Sequence, residues 1–431
     1  MEINDLYNLV RGSAGICTDT RSIRNGEIFF ALRGPTHDGN KYATAALAAG
    51  AAAAVTDDPS IKGAKIIGVA DVLRTLTELA VIHRKSINVP VIAITGTNGK
   101  TTTKELITAV LSRKKKVHST TGNMNNHIGV PLTLLSAPDD AGYLVTEMGA
   151  NHLGEIASLC EIARPTHGII TNIGKAHIEG FGSFENVIAA KAELYLWLRK
   201  SGGTALFNER SSTLKELVYT IVVKAAPYSD PSGTDLIVDA AVNDGPFLNV
   251  TCAFGGHHYA FTTHLFGTYN LDNVRAAMAL GIFFEVPADD IIDAISLYRP
   301  SNNRSQVKKT ERNTLICDSY NANPSSMTKA LAAFGETGAE KKMAILGDML
   351  ELGHETLTEH AMIIEVIESM GDTEVLLVGP VFMSLAKEKG IKAVVSSEEA
   401  REWLKKESPS GYTILVKGSR GMMLEKVYDL L

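Results

Sequence analysis

The chain has 431 residues, of which 45% are hydrophobic and 21% are charged, and its formal net charge is −6. That length exceeds what one hydrophobic core usually holds, so two or three domains are expected. The negative charge and the lack of a long basic run argue against nucleic acid as a partner. The start, MEINDLYNLV, does not resemble a secretory signal, and the alanine-rich tract at 42–55 is too short to cross a bilayer. We therefore expect a cytoplasmic protein with no membrane insertion.

The pattern of apolar runs and helix-like segments changes twice along the chain, which predicts an α/β protein with three domains. Residues 1–87 mix strand-like runs with an alanine-rich helix, which predicts a small mixed α/β domain. Residues 88–298 alternate apolar strands with amphipathic helices, and the tract YRPSNNRSQ then resembles a hinge. In residues 299–431 the runs TLIC, MAIL, VLLVG, KAVV and YTILV recur at helix-length intervals. This regularity predicts a doubly wound, Rossmann-like parallel sheet, with ligands at the carboxyl ends of its strands.

The stretch VIAITGTNGKTTTKELITAVL, at 91–111, predicts a strand, a glycine loop and a helix that begins at Lys100. Such a loop brings backbone N–H groups and a helix N-terminus to phosphate oxygens. Lys100 is expected to contact the β- and γ-phosphates, and the Thr101 hydroxyl to bind Mg²⁺. Ile94 stands where the strict Walker pattern has glycine, so the loop is a shorter G-x-x-G-K-T-T form. The central domain is therefore expected to hold a P-loop ATPase-like parallel sheet. The expected nucleotide-binding residues of the loop are Gly96, Thr97, Asn98, Gly99, Lys100, Thr101 and Thr102.

Three further residues of the central region are candidates for chemistry. Glu147 ends the apolar run GYLVTE, where a metal-binding acid is expected beside a phosphate loop. His177 follows another apolar run, although a lone histidine there also fits a structural role. Lys191 interrupts the apolar stripe of a predicted helix at 186–200. A lysine in that place either extends to solvent or is buried for a function, and its spacing alone leaves both readings open.

These residues lie in motifs that resemble a known family. TGTNGKTT, TEMGANHLGEI, TNIGKAHIEGFGS and AAKAELY are similar to the central domain of the Mur ligases, ATP-dependent enzymes that form peptide bonds in peptidoglycan precursors. DTRSIRNGEIFFAL, TTGNMNNHIGVPLTLL, DSYNANPSSM, ILGDMLELG and LVKGSRG resemble the branch that adds D-alanyl-D-alanine. The resemblance implies an ADP-forming ligase that joins this dipeptide to UDP-N-acetylmuramoyl-tripeptide through an acyl phosphate. It also implies ATP, two Mg²⁺ ions and a peptide whose third residue is diaminopimelate or lysine.

The resemblance further implies roles for single residues. Lys191 is expected to be carbamylated by CO₂ and to act as an acidic group at the second Mg²⁺, which burial of a neutral amine permits. Arg304 is expected to reach the γ-phosphate when the third domain closes over the second. Tyr269 stands where relatives often have histidine, next to the expected adenine contacts.

The implied sites contain the following residues. The catalytic set is Lys100, Glu147, His177, Lys191 and Arg304, and the metal ligands are Thr101, Glu147, His177 and Lys191. Adenine, ribose and phosphate contacts outside the loop are Asn270, Asn273, Asp318 and Arg304. Contacts to the UDP-linked peptide are Thr20, Arg21, Arg33, Asp38, Thr121, Asn125 and Asn126. Contacts to the dipeptide are Asn321, Asn323, Asp348, Lys417, Ser419 and Arg420.

Other functions remain as alternatives. The nearest is another amino-acid ligase of the superfamily, either the one that adds the third residue or a folylpolyglutamate synthase, but NANPSSM and KGSRG argue against both. A GTPase switch would need an Asn-Lys-x-Asp motif, which the sequence lacks. A small-molecule P-loop kinase would leave the first and third domains unexplained. A monomer is expected.

Overall fold

The computed structural model describes residues 1–174, 178–228, 236–241, 245–387 and 389–431. The described chain falls into two compact units. The first contains Met1–Ala93, Lys115–Ala150 and Gly154–His167, and the second contains Ile94–Lys114, Asn151–Leu153 and Gly168–Leu431. Within the described ranges, none of the helices has both the length and the hydropathy that crossing a membrane requires.

The first part of the chain is a small α/β fold, as predicted. Four parallel strands form one sheet in the order β1-β2-β3-β4. The strands are β1 Ile16–Cys17, β2 Ile28–Phe30, β3 Ala53–Thr56 and β4 Ile66–Gly68, and the helices are α1 Ile3–Arg11, α2 Ala43–Ala48 and α3 Val72–Ser86. The small side chains of α2 explain how it lies close to the sheet, since Ala43 and Ala46 pack against Phe29 and Ala54.

The middle part has a six-stranded sheet in the order β10-β9-β8-β5-β7-β6. Its strands are β5 Val91–Thr95, β6 Val117–Ser119, β7 Tyr143–Glu147, β8 His167–Ile170, β9 Thr204–Phe207 and β10 Ala225–Pro227. Its helices are α4 Lys100–Leu111, α5 Gly129–Leu135, α6 Glu155–Ala163, α7 Ile178–Phe181, α8 Phe184–Ser201 and α9 Ser212–Ile221. The pairs β6–β7 and β9–β10 are parallel, in agreement with the predicted P-loop ATPase-like sheet.

The last part has a nine-stranded sheet in the order β11-β12-β13-β14-β15-β19-β16-β17-β18. Its strands are β11 Ile237–Ala241, β12 Phe247–Phe254, β13 His257–Phe266, β14 Gln306–Lys309, β15 Thr314–Asp318, β16 Lys342–Gly347, β17 Thr373–Val378, β18 Ala393–Val394 and β19 Thr413–Lys417. Its helices are α10 Leu271–Phe283, α11 Ala288–Leu297, α12 Pro324–Gly335, α13 Thr356–Glu368, α14 Pro380–Ala386 and α15 Ser397–Glu407. All five strands predicted after the hinge are present, and they pair in parallel.

The helices of this last sheet lie on both of its faces, which confirms the doubly wound prediction. One apolar cluster contains side chains of α12, α13 and α14, including Phe334, Ile364 and Phe382. The other contains Leu404 of α15 and Leu424 of the C-terminal 3-10 segment. The chain runs outward from β16 to β18 on one face and returns through α15 to β19. The carboxyl ends of β15, β19 and β16 therefore lie side by side at the change of direction.

One expectation about this region was wrong. The stretch that precedes the hinge was predicted to alternate strands with helices throughout, yet 237–266 forms the antiparallel strands β11, β12 and β13, which extend the C-terminal sheet through β14. The physical reason is visible in β12, whose residues alternate between buried and more exposed positions. That period of two is typical of an antiparallel strand with one covered face.

His360 of α13 makes the stability of this sheet depend on pH. The Met349 N–H donates to Nε2 at 3.0 Å and Nδ1 lies 2.7 Å from the Thr356 carbonyl oxygen, an arrangement that suits a neutral ring. Burial lowers the pKa of His360 below 6.5, against the opposing effects of the hydrogen bond to Thr356 and of Asp348. Below about pH 6.5 the unfolded chain therefore binds a proton that the folded protein resists. We expect the contribution of His360 to the free energy of unfolding to be constant above that pH and to fall by at most about 1.4 kcal/mol per pH unit below it.

The measurement is denaturant unfolding at pH 7.5, 6.5 and 5.5 for the wild type and for His360→Gln. The glutamine can still accept from Met349 but does not titrate. His83 and His118, whose pKa values are also lowered by burial, are present in both proteins, so the difference between the two curves isolates His360. Parallel curves would contradict the expectation.

Candidate active site

The predicted phosphate loop follows β5, whose five side chains are all buried. Gly96 and Gly99 both have positive φ angles, +139° and +79°. A Cβ atom on Gly96 would lie 2.1 Å from Thr171 Oγ1, and one on Gly99 would lie 2.4 Å from Asn273 Oδ1. Both positions therefore require glycine for two independent reasons, backbone conformation and lack of space.

The loop is held in place by the segment after β8. Thr171 Oγ1 donates to the Asn98 carbonyl oxygen at 2.6 Å, and the Asn98 N–H donates to Asn172 Oδ1 at 3.0 Å. Thr97 Oγ1 donates to the Gly174 carbonyl oxygen at 3.1 Å. These bonds order the loop by contacts within the protein, and they occupy the backbone N–H of Asn98.

Lys100 begins α4, and its side chain turns back over the loop. Its Nζ donates to the carbonyl oxygens of Gly96 at 2.8 Å and of Thr97 at 3.1 Å. Thr101 and Thr102 follow it in the first turn and are both buried. An ammonium group, a helix N-terminus and a glycine loop at one place form a site for a polyphosphate.

The residues predicted to contact adenine and ribose lie in one buried chain of hydrogen bonds. Thr103 Oγ1 donates to Asn273 Oδ1 at 3.0 Å, and Asn273 Nδ2 donates to Asn270 Oδ1 at 2.8 Å. Asn270 Nδ2 donates to Ser305 Oγ at 3.0 Å, and the Ser305 N–H donates to Asp318 Oδ1 at 2.8 Å. The helix after the loop is thus linked to the hinge and to β15. Contacts of these residues with a nucleotide stay a prediction.

The predicted dipeptide-binding residues lie at the strand ends after the hinge, and most are engaged with the protein itself. Lys417 Nζ donates to Asp318 Oδ2 at 2.6 Å and to the Asn321 carbonyl oxygen at 3.4 Å. Both carboxylate oxygens of Asp348 accept backbone N–H groups of the first turn of α14, each at 2.9 Å. Ser419 Oγ accepts the Leu350 N–H at 2.9 Å. The structure brings these residues together; their binding of a dipeptide stays a prediction.

Arg304 lies in the hinge with its guanidinium stacked on an aromatic ring. Its Cζ is 3.7 Å from the centroid of the Tyr320 ring, and Arg420 Cζ is 5.4 Å from the same centroid. Asn303 and Ser305, on either side of Arg304, have φ angles of +55° and +49°. Left-handed backbone at non-glycine residues is strained, and such strain concentrates at functional sites. Tyr320 is a site candidate that the sequence analysis missed, although it lies inside the DSYNANPSS motif.

Asn323 connects the acceptor-side motif directly to the phosphate loop. Its Nδ2 donates to Asn98 Oδ1 at 2.8 Å. Its Oδ1 accepts the Ser326 N–H at 2.9 Å, and its own N–H donates to Ser326 Oγ at 3.1 Å, which forms a capping box at the start of α12. One side chain therefore both begins a helix and contacts the loop.

These two roles of Asn323 can be separated by mutation. Asn323→Asp keeps a good helix cap but cannot donate to Asn98, whereas Asn323→Ala loses both interactions. We expect Asn323→Ala to lower the free energy of unfolding by about 1 kcal/mol and Asn323→Asp to change it far less. Both variants should weaken ATP use, since both release Asn98. The measurements are denaturant unfolding and the KM for ATP; an unchanged KM in Asn323→Asp would contradict a role for the contact.

Lys191 of α8 is buried, with 3% of its surface exposed, and does not extend to solvent. Its Nζ lies 5.4 Å from the centroid of the Phe181 ring. Helix α8 is fixed at both ends, by the Ser183 cap and by Gly202 in the left-handed conformation. The lysine is therefore held on the buried face of a helix whose two ends are defined.

Glu147, at the end of β7, is 1% exposed. Its Oε1 accepts a hydrogen bond from Asn125 Nδ2 at 2.8 Å, and its backbone N–H donates to Thr120 Oγ1 at 3.0 Å. Asn126 has a local role, because its Oδ1 accepts the Gly129 N–H at 2.9 Å and begins α5. Hydrogen-bonded, buried carboxylates are typical of metal-binding acids.

The predicted metal ligand His177 lies outside the described residues. Among the residues that are described, no group of three or more His, Cys, Asp or Glu side chains has an arrangement suited to a metal ion.

The first unit contains a cavity of about 510 Å³, lined by residues between Val10 and Arg24 and between His118 and Pro138. Of the residues predicted to bind the UDP-linked peptide, Thr121 lines it. Asp19, His118 and Met124 also line it and are not among the residues predicted from the sequence. Their signal was proximity in sequence, because two of them flank Thr121 in HSTTGNM.

Three of the other predicted peptide contacts in this unit, Arg21, Arg33 and Asp38, form ion pairs on the surface. Arg21 pairs with Asp19 and lowers the pKa of that carboxyl to about 2 through hydrogen bonds. Arg33 Nε lies 2.9 Å from Asp57 Oδ1 and 3.6 Å from Asp38 Oδ1. Residues predicted to bind the peptide but not lining the cavity are Thr20, Arg21, Arg33, Asp38, Asn125 and Asn126. Their contacts with a ligand stay predictions.

Comparisons with known proteins agree over nearly the whole chain. The Mur ligase middle domain matches residues 94–281, the Mur ligase glutamate ligase domain matches 303–420, and the Mur ligase family catalytic domain matches 13–95. The chain is 34% identical to the UDP-N-acetylmuramoyl-tripeptide–D-alanyl-D-alanine ligase of Bacillus subtilis (strain 168), over 96% of this chain and 92% of that protein. It is 32% identical to the enzyme of that name from Escherichia coli (strain K12), over 96% of this chain and 93% of that protein. The crystal structure of MurF from Acinetobacter baumannii superposes with a TM-score of 0.85 at 29% identity, covering 96% of this chain and 92% of that one.

Proposed function

The chain belongs to the Mur ligase family and is an ATP-dependent ligase, and from that premise we propose that it joins D-alanyl-D-alanine to UDP-N-acetylmuramoyl-tripeptide. The product would be a peptidoglycan precursor with a completed peptide. The names of the relatives that match across nearly the full chain support the choice of substrates. The limits 1–87, 88–298 and 299–431 are the domains that we propose for it, acting as a monomer in the cytoplasm.

The first step is phosphoryl transfer to the tripeptide. An oxygen of its terminal carboxylate attacks the γ-phosphorus of ATP, the bond to the β-phosphate oxygen breaks, and ADP leaves. Because the reacting groups are all anions, the site must neutralise charge and align them. We assign the loop amides and Lys100 to the phosphates, and Arg304 to the charge on the transferred group.

The second step forms the amide. The free amine of the dipeptide attacks the acyl carbon, inorganic phosphate leaves, and the nitrogen loses a proton. The acyl phosphate must be protected from water until the dipeptide arrives. Residues at the strand ends after the hinge are proposed to hold the dipeptide, with Arg420 suited to a bidentate contact with its carboxylate. The proposed dipeptide-binding residues are Asn321, Asn323, Asp348, Lys417, Ser419 and Arg420.

The ligands proposed for Mg²⁺ are chosen by the chemistry of their donor atoms. Mg²⁺ prefers oxygen ligands and usually keeps several waters, so few protein groups are needed. The Thr101 hydroxyl and the buried Glu147 carboxylate supply such oxygens, and a carbamate on Lys191 would supply a third; the role of His177 stays a prediction. When bound, the ions would neutralise phosphate charge.

One contact carries this proposal: the 2.8 Å hydrogen bond from Asn323 Nδ2 to Asn98 Oδ1. It joins the motif expected to bind the amine acceptor to the loop expected to bind ATP. A ligase needs these two partners at one place, whereas a nucleotide switch or a small-molecule kinase has no need of an acceptor domain at its phosphate loop.

The test is release of phosphate from ATP with UDP-N-acetylmuramoyl-tripeptide, with and without D-alanyl-D-alanine, together with mass analysis of the product. We expect release and a new amide only when all three substrates are present. The tripeptide is supplied in its diaminopimelate and lysine forms. Three other acceptors are tested as alternatives. Diaminopimelate and lysine are each offered with the UDP-linked dipeptide, and glutamate is offered with a folate. Turnover with one of these acceptors, and none with D-alanyl-D-alanine, would contradict the proposed reaction and indicate that of another ligase of the superfamily.

A further inference from the structure

We infer that Tyr320 is a positioning residue whose ring holds the guanidinium groups of Arg304 and Arg420 as one paired anion site. The inference rests on the proposed function. Through one side chain, the residue assigned to the transferred phosphate is connected to the residue assigned to the carboxylate of the acceptor dipeptide. Neither the catalytic set nor the substrate contacts described above contain Tyr320.

Arg304 and Arg420 both lie close to the ring of Tyr320. The Arg304 Cζ lies 3.7 Å from the ring centroid, within stacking distance of the ring face, and the Arg420 Cζ at 5.4 Å is within the range of a cation–π contact. The Tyr320 N–H donates to the Asn303 carbonyl oxygen at 3.2 Å, which ties the ring's backbone to the hinge. The backbone that carries the ring is therefore tied to the strained turn that carries Arg304.

The charges around this ring are not balanced locally. Among the described residues no carboxylate forms an ion pair with Arg304, and its buried Nε has no hydrogen-bond partner there. The ion pair of Arg420 is with Glu425 at 3.8 Å, and the Arg420 side chain is 63% exposed. Two cations on one aromatic ring repel each other, and an anionic ligand relieves that repulsion. A buried N–H without a partner likewise favours a ligand that accepts from it.

The ligand chemistry follows from the reaction. Arg304 is assigned to the transferred phosphate and Arg420 to the carboxylate of the acceptor dipeptide. A fixed ring between them sets the separation of the two anions, and so places the amine of the dipeptide relative to the acyl phosphate. Loss of the ring would release Arg420 in particular, because that side chain is largely exposed and its ion pair with Glu425 is long, at 3.8 Å.

The experiment compares two acceptors, D-alanyl-D-alanine and its C-terminal amide, in Tyr320→Phe, Tyr320→Leu and Tyr320→Met. Phenylalanine keeps the ring, leucine removes it, and methionine keeps much of the volume without a ring. We expect Leu and Met to raise the KM for D-alanyl-D-alanine by roughly tenfold, but to change the KM for the amide by less than about twofold. Phe should leave both within about twofold of the wild type.

Two results would overturn the inference. One is an equal effect of Leu and Met on both acceptors, which indicates a general structural role. The other is no effect on either acceptor in a variant with a wild-type unfolding midpoint. Failure of the proposed function is recognised separately, because the wild type would then form no amide with D-alanyl-D-alanine.

Discussion

Replacing Lys191 with alanine is expected to lower kcat for amide formation by about 100-fold or more, with little change in the KM for ATP. The reason is that the buried amine is proposed to carry CO₂ as a carbamate, and alanine cannot provide that anion. Added formate or acetate should restore part of the rate by occupying the space left by the side chain. The measurements are steady-state kinetics with and without the small carboxylate.

The matched control is Lys200→Ala, on the exposed C-terminal turn of the same helix, which should stay within about twofold of the wild type. A second readout does not depend on turnover: ¹³C-bicarbonate should give a carbamate resonance in the wild type and none in Lys191→Ala. A structural role alone predicts instead that Lys191→Met, an apolar side chain of similar length, is fully active. Full activity in that variant would contradict the assignment.

Replacing Gly99 with alanine is expected to raise the KM for ATP by about tenfold or more. The new Cβ would lie 2.4 Å from Asn273 Oδ1, which accepts the Thr103 hydroxyl, and the φ angle of +79° adds strain. The loop must therefore shift at the point where its amides are expected to face phosphate. The variant should also lose about 1 kcal/mol of unfolding free energy from the left-handed backbone.

The control variant Gly202→Ala separates the effect of backbone strain from the effect of a steric clash. Gly202 ends α8 with a φ of +74°, but a Cβ there would meet no atom of the described residues within 4 Å. It should lose a similar unfolding free energy and keep the wild-type KM for ATP. If the two variants had the same KM, the nucleotide assignment of the loop would lose its support.

The elements that could be read from the sequence are those set by local chemistry. The five strands after the hinge were predicted because apolar runs and helix-length intervals are visible along the chain. The phosphate loop was predicted because Gly96, Gly99 and Lys100 stand together between a strand and a helix. Burial of Lys191 was one of two readings of its place on an apolar stripe, and the helix that carries it runs as expected.

The elements that could not be read depend on neighbours distant in sequence. Strands β11 to β13 extend the C-terminal sheet because β14 pairs with β13 and β15, a pairing between segments separated by two helices. The carboxylate of Asp348 looks like a ligand group from its place after β16, yet its oxygens cap α14, more than thirty residues away. His118 lines the cavity of the first unit because the start of the chain lies opposite it.

Local sequence thus determined which residues can form a glycine loop, a capped helix or a buried strand, since conformational preference and periodicity act over a few residues. Tertiary structure alone decided which polar groups already have partners and which do not. That is why Lys417 is paired with Asp318, while Arg304 and Arg420 share the ring of Tyr320. Hydrogen bonds and charge pairs act over a few ångströms in space, and folding brings together residues that no local pattern connects.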